Sequence, residues 1–250
     1  MVSLKQAIIE RHSVRTFDCR DLTVDDAQFL DSAIAYASAP IEGRFTIRQA
    51  VFPTDGTTRP GSYGVIRGAV RYLLLYVGNR AIDRMAGGFA LERIVLEATL
   101  RGLSTCWIGG TFRKSTFGDA ASPIDGMRLT IILPIGYKAA RKRIIDRLTS
   151  FVARSHTRLP FDCMFHGTTD RFTEPLEMMR LAPSSVNSQP WRAVASTNSV
   201  EFTSTASGGL HDIDMGIGLC HFCLSAESIG LNGRLTVDNP ETNSARWTLE

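Results

Sequence analysis

Two segments of this chain have helical character yet are apolar on nearly every side. The first, MAGGFALERIVLEATLRGL (85–103), carries Phe89, Ile94, Leu96 and Leu100 around its circumference. The second, HDIDMGIGLCHFCLSAESIGL (211–231), is of the same kind. A helix without a broad polar face has to be covered all round, so both are expected to be largely buried. Each closes on Gly-Leu, at 102–103 and 230–231. Ahead of each lies a similar stretch, SAPIEGRFTIRQAVF (38–52) and LAPSSVNSQPWRAVA (181–195): Ala-Pro, a loop, then a strand. This echo predicts an internal duplication with a join near residue 150, giving halves 1–150 and 151–250 that could pack as a pseudo-dimer within one chain. An undivided α+β domain with two similar buried helices is the alternative.

The remaining pattern supplies the elements that would enclose those helices. SLKQAIIER (3–11) reads as a helix with a Ser3/Gln6 capping box, and TVDD (23–26) opens a second helix through about Ser38. TIRQAVF (46–52), RYLLLYV (71–77) and MRLTIILPIGY (127–137) read as strands, the second buried on both faces. TDGTTRPGSYG (54–64) reads as an extended loop. TEPLEMMRL (173–181) is a short helix with Thr173 as cap and Pro175 in its first turn. RAVAS and VEFTST read as short strands, and RLTV or RWTL could close as strands.

Composition bounds the function. A 250-residue chain that is 44% hydrophobic and 21% charged can bury a core without staples. A net charge of +3 is too mild to argue for nucleic acid. Residues 138–158 hold seven Lys/Arg against one acid, which reads as a solvated face before a nucleic-acid surface. Five irregularly spaced cysteines fit reduced thiols in a cytosol, and the N-terminus has no secretory h-region, so a cytoplasmic location is expected. No apolar run approaches the length of a membrane span.

Three segments carry chemistry. RHSVR (11–15) puts Arg11, His12, Ser13 and Arg15 at a helix end, a set suited to phosphate oxygens, although a solvated helix end would look the same. CWIGG (106–110) ends in Gly109 and Gly110, which would let backbone N–H groups approach a ligand or would simply turn the chain. LAPSSVNSQPWRAVAS (181–196) packs turn-forming residues beside Trp191, as though shaped to lie against something flat. Cys220 and Cys223 share one helical face but read as core packing, Asp212 and Asp214 as residues serving a helix N-terminus, and Met178–Met179 as core filling. No metal site is expected.

Together ERHSVRTF, APSSVNSQPW, GLSTCWIGG and DIDMGIGLCHFCLSAESIGL resemble the FMN-dependent nitroreductase family over most of the chain. The resemblance implies an α+β nitroreductase-like fold of two related halves, each with a mixed or antiparallel sheet and a buried central helix. It implies FMN between the halves, with Pro183, Ser184, Ser185 and Asn187 along the flavin, and with Pro190 and Trp191 anchoring that loop. Arg11, His12 and Ser13 would hold the phosphate end, Arg15 the N1/O2 edge, and Gly109 and Gly110 the N5/O4 edge. Arg141 and Arg143 would be a late basic element at the phosphate. The Ser-Ser-x-Asn loop occurs only in the second half, so the resemblance is to a fused, duplicated branch with one FMN per chain and a decayed second site. RSHTR (154–158) would be a relic of the first-half RHSVR. The implied activity is ping-pong hydride transfer from NAD(P)H through FMN to a nitroaromatic, quinone or similar acceptor, with no obligatory side-chain acid or base, in a monomer or homodimer. A flavin-binding protein of the same fold without reductase activity is the alternative.

Overall fold

The computed structural model describes residues 4–53, 65–110, 112–140 and 157–250. The predicted loop 54–64, Ser3 of the first capping box, and Arg141 and Arg143 lie outside them.

Helix α1 is Leu4–Glu10 and α2 is Val24–Ala35, opened by Thr23, whose hydroxyl accepts the Asp26 N–H at 3.2 Å. The first sheet follows: β1 (Phe45–Val51), β2 (Arg71–Val77), the short β3 (Ser104–Thr105) and β4 (Ile108–Gly109), and β5 (Arg128–Gly136). Its order is β1-β2-β5-β3, β4 also pairs with β5, and every pairing is antiparallel. Side chains alternate across a strand, so RYLLLYV presents Leu73, Leu75 and Val77 to one core and Tyr72, Leu74 and Tyr76 to another. The sheet is therefore covered on both faces, as the unbroken apolar run demands.

Between β2 and β3 runs α3 (Ala81–Leu100). It starts a turn before the predicted boundary because Asp83 caps it: Oδ2 accepts the Arg80 N–H at 3.1 Å. Leu100, expected inside, is 37% exposed, because it stands in the last turn as the helix leaves the core.

The second sheet gathers β6 (Phe165–Gly167), β7 (Trp191–Ala195), β8 (Ser199–Ser204), β9 (Gly233–Thr236) and β10 (Ala245–Leu249) in the order β6-β7-β8-β10-β9. The β6–β7 pair is parallel and the rest antiparallel. One face buries Trp191, Phe202 and Trp247; the other carries exposed Val194 and the Arg246–Glu201 ion pair. Helix α4 (Thr173–Arg180) precedes this sheet's hairpin, and α5 (Leu210–Ser228) follows it. Thr173 is not the cap predicted for α4. It is the first helical residue, and its hydroxyl donates back to Thr169 O at 3.0 Å.

Helices α3 and α5 cross at the centre of the main core, backbone against backbone. A Cβ on Gly88 would collide with the Ile213 carbonyl, and one on Gly216 with the Met85 carbonyl. The two contacts are reciprocal: Gly88 and Gly216, like Met85 and Ile213, stand 128 residues apart. Ridge-into-groove packing normally keeps helix axes 8–10 Å apart, and paired glycines allow the close end of that range.

Candidate functional site

After Glu10 the chain stops being helical and runs extended along the first sheet: Val14 N–H donates to Thr105 O at 2.9 Å, and Ser13 bridges Thr105. That lays Arg11, His12, Ser13 and Arg15 along one wall of a cavity of about 730 Å³. Gly109, at the end of β4, lines the same cavity. The opposite wall comes from the other end of the chain: Pro183, Ser184, Ser185 and Asn187 of the loop before β7, with Ile213, Asp214 and Ile217 of α5. Nine of the predicted residues thus meet around one space whose size suits a small-molecule ligand. Gly110 is the next residue beyond the lining, leaving β4 with φ 74° into open space. Gly109 has a second reason to be glycine: a Cβ there would come within 2.6 Å of Leu210, so part of the expected access is occupied by packing.

The wall is cationic. The Arg11 side chain is only 7% exposed, and its Nε, 3.9 Å from Glu92 Oε1, and its Nη1 are buried without a hydrogen-bond partner among the described residues. Beside it stands Arg158, donating to Asn187 Oδ1 at 2.9 Å and to Leu181 O at 3.0 Å. Burial, with Arg11 and Arg180 nearby, holds the Arg158 guanidinium below the usual arginine range. Buried guanidinium N–H groups without acceptors are costly, and an anion is their natural complement. Arg158 is the last residue of the RSHTR segment, and a sequence alone could not aim it back into this cleft.

The loop opposite is strained. Val186 (φ 46°), Asn187 (φ 57°) and Gln189 (φ 48°) all take the left-handed region that residues with side chains avoid, and Val186 is β-branched and 83% exposed. Hydrogen bonds hold it there. Ser184 Oγ accepts the Gln189 N–H at 2.9 Å, Asn187 Nδ2 donates to Thr157 O at 2.9 Å, and Gln189 Oε1 accepts the Leu159 N–H at 2.9 Å. Pro190 and Trp191 are buried behind it, Trp191 completely. Below the loop Asp214 Oδ1 accepts the Ser185 N–H at 2.9 Å. Burial pushes the Asp214 carboxyl up to about 7, against the opposing pull of the Ser185 N–H and the nearby Ser188 hydroxyl. Asp212, by contrast, serves its helix N-terminus as predicted: Oδ1 accepts the Gly208 N–H at 3.0 Å, and Oδ2 pairs with Arg84 at 2.7 Å.

Behind Arg11 lies a buried polar link between the central helices. Glu92 of α3 takes His221 Nε2 of α5 at 2.9 Å on one oxygen and the Trp107 Nε1–H at 2.8 Å on the other. His221 Nδ1 faces Met178 O at 3.0 Å, so the ring meets an acceptor on both sides. Cys220 is buried beside it, and burial pushes the Cys223 thiol up to about 12, in keeping with the packing role expected of both. Among the described residues no cluster of His, Cys, Asp or Glu could hold a metal ion, and no helix is long and apolar enough to cross a membrane.

Comparison with known proteins agrees with this architecture. A crystal structure titled as that of a "putative nitroreductase" from Thermotoga maritima is 20% identical, covers 99% of this chain and 94% of its own, and superposes with a TM-score of 0.66, which shows the fold. A nitroreductase with bound FMN from Bacteroides fragilis is 16% identical over 58% of this chain and 92% of its own, with a TM-score of 0.43. A further structure, titled a "putative nitroreductase" in complex with FMN, from Desulfovibrio desulfuricans, is 20% identical over 59% of this chain and 95% of its own, with a TM-score of 0.42. No curated protein matches the sequence. The family described as "Putative TM nitroreductase" matches residues 3–226, and the chain belongs to it.

Proposed function

We propose that this chain is a flavin oxidoreductase that holds one FMN in the cleft between its front and back portions and passes hydride from NAD(P)H to a nitroaromatic, quinone or similar acceptor, in two half-reactions at one site. The observation that carries this reading is the cleft itself: a cavity of about 730 Å³ whose cationic wall includes buried Arg11 N–H groups with no hydrogen-bond partner among the described residues. Bound FMN would supply the hydride chemistry, leaving position and electrostatics to the protein. Arg11 and Arg158, with His12 and Ser13, offer donors to a phosphate. Arg15 supplies fixed positive charge for the pyrimidine edge, where a preorganised cation stabilises developing negative charge. The Gly109–Gly110 backbone and the Pro183, Ser184, Ser185 and Asn187 segment fix the ring from opposite sides. Arg141 and Arg143 are assigned to the phosphate end by resemblance alone.

We also read the chain as a fused duplication, 1–150 and 151–250. The reciprocal crossing at Gly88 and Gly216 supports that division. A second cavity of about 450 Å³ lies against Ala39, Pro40 and Phe89, which echo Ala182, Pro183 and Ile217. Its Arg93 is already paired with Glu97 at 3.1 Å, and Glu227 adds a negative charge, so an anionic cofactor finds little there. One flavin per chain is the expected stoichiometry.

The test is an absorption spectrum with flavin quantified per chain, followed by anaerobic titration with NADH and with NADPH. About one FMN per chain, bleached by a nicotinamide, is expected. A chain that stays colourless in excess FMN overturns the reading; two flavins per chain overturn the decayed site; bound flavin that no nicotinamide reduces leaves a flavin-binding protein without reductase activity.

A further inference from the structure

Asp214 is only 3% exposed, yet its carboxyl is incompletely satisfied. Oδ1 takes the Ser185 N–H, while Oδ2 is buried with no hydrogen-bond partner among the described residues. The atom facing it, His211 Nδ1, is also buried and without a hydrogen-bond partner among the described residues, and the two stand 3.7 Å apart, in ion-pair range and beyond a hydrogen bond. The carboxyl lines the cleft and lies directly beneath the segment where three residues with side chains adopt left-handed φ. Such strain persists only where surrounding bonds over-determine it. From α5, the bond that reaches this segment comes from Asp214.

We propose that Asp214 is the positioning residue of the cleft: its buried carboxyl, taking the Ser185 N–H, holds the Ser184–Gln189 segment in its left-handed conformation and thereby sets the cleft's grip on a flavin ligand. The second half of this statement rests on the functional reading above; the first does not. A carboxylate is a stronger acceptor than a carboxylic acid, so the hold tightens as Asp214 ionises. The groups that bear on that ionisation are His211 and Asp212 on its own helix, Asp212 being paired with Arg84 of α3, and the Ser185 N–H and Ser188 hydroxyl of the loop.

The test compares the wild type with Asp214→Asn, which can still accept the Ser185 N–H, and Asp214→Val, which cannot. Hydrogen exchange of the Ser185 amide reports the hold without any ligand, and quenching of FMN fluorescence reports the grip. Asp214→Val is expected to raise Ser185 exchange and the FMN dissociation constant each by about tenfold or more, the loss of one hydrogen bond to a charged group. Asp214→Asn stays close to wild type at pH 6. In the wild type, Ser185 exchange corrected for its intrinsic rate slows as pH rises through about 7, and in Asp214→Asn it does not. Should Asp214→Val fail to fold, this pH comparison decides alone. Ser185 exchange unchanged in a folded Asp214→Val protein, or the same pH profile in wild type and Asp214→Asn, overturns the proposal. A wild type that binds no FMN sinks the functional reading and the statement about grip, and exchange at Ser185 then judges the positioning role.

Discussion

Two loops, each entering at an Ala-Pro, are tied by an aspartate to the start of a central helix, and the two ties differ in kind. In the first, Asp83 of α3 holds residues 39–44: its carboxylate accepts the Arg44 N–H at 2.9 Å, the Arg80 N–H at 3.1 Å and the Arg80 guanidinium at 2.8 Å. Burial pushes that carboxyl up, but the Arg80 side chain and the two N–H groups outweigh it, and it lies below the usual range. No residue of 39–44 takes a left-handed φ. In the second, Asp214 of α5 holds residues 184–189 through the Ser185 N–H with the Ser188 hydroxyl nearby, its other oxygen has no hydrogen-bond partner among the described residues, its carboxyl is pushed up to about 7, and the loop is strained. A saturated carboxylate under a relaxed loop is scaffold. One with an unbonded oxygen under a strained loop, facing a cationic cleft, is where the function proposed above would have stability given up for a ligand.

The strongest way to break the contrast is Asp83→Ala. It strands two part-buried backbone N–H groups, while the Arg80 side chain, 43% exposed, turns to solvent, and it should lower unfolding free energy by about 3 kcal/mol in a denaturant titration. A loss below about 1 kcal/mol would put the first tie on the same footing as the second. Arg11→Ala tests the cleft facing the second loop. Loss of a buried charged donor should weaken FMN binding by roughly thirtyfold, about 2 kcal/mol, while the unfolding midpoint hardly moves.

Stability against pH separates the two aspartates by sign. Asp214 titrates higher in the fold than in the unfolded chain, so its contribution is complete below about 4 and is lost as pH rises to about 7. Asp83 titrates lower in the fold, so its contribution is present above about 4 and is lost as pH falls through its depressed value. Asp214→Asn should therefore recover about 2 kcal/mol at pH 7 relative to pH 5, read from paired denaturant curves. Asp83→Asn should flatten the acid limb instead. The smallest expected effect is Val186→Gly, which relieves a left-handed β-branched residue and should raise stability by about 1 kcal/mol; a decrease would mean the strain at Val186 has been misjudged.

Much of this was legible beforehand because the decisive signals were local. Unbroken apolar runs located α3, α5 and β2, and short motifs named Arg11 to Arg15 and Pro183 to Asn187 before any fold was known. What escaped was long in range or fine in detail. Glu92 and His221 lie 129 residues apart, and nothing in either neighbourhood announces the bond between them. Asp214 read as a helix-end residue because the loop it holds comes from 29 residues upstream. The parallel β6 is too short to show a period, and Thr173 has the chemistry of a cap without the backbone of one. Gly109 stands out in the sequence, but its packing against Leu210, 101 residues away at the start of α5, is beyond what local pattern can place.

The crossing of α3 and α5 has one more implication. Where Gly88 meets Ile213 and Gly216 meets Met85, there is no space for a single added methyl. An architecture whose axle tolerates no thickening can be retuned only at its periphery, so variants with altered ligand preference should come from the N-terminal strip and the Ser-rich bend, while libraries aimed at the axle should return insoluble protein.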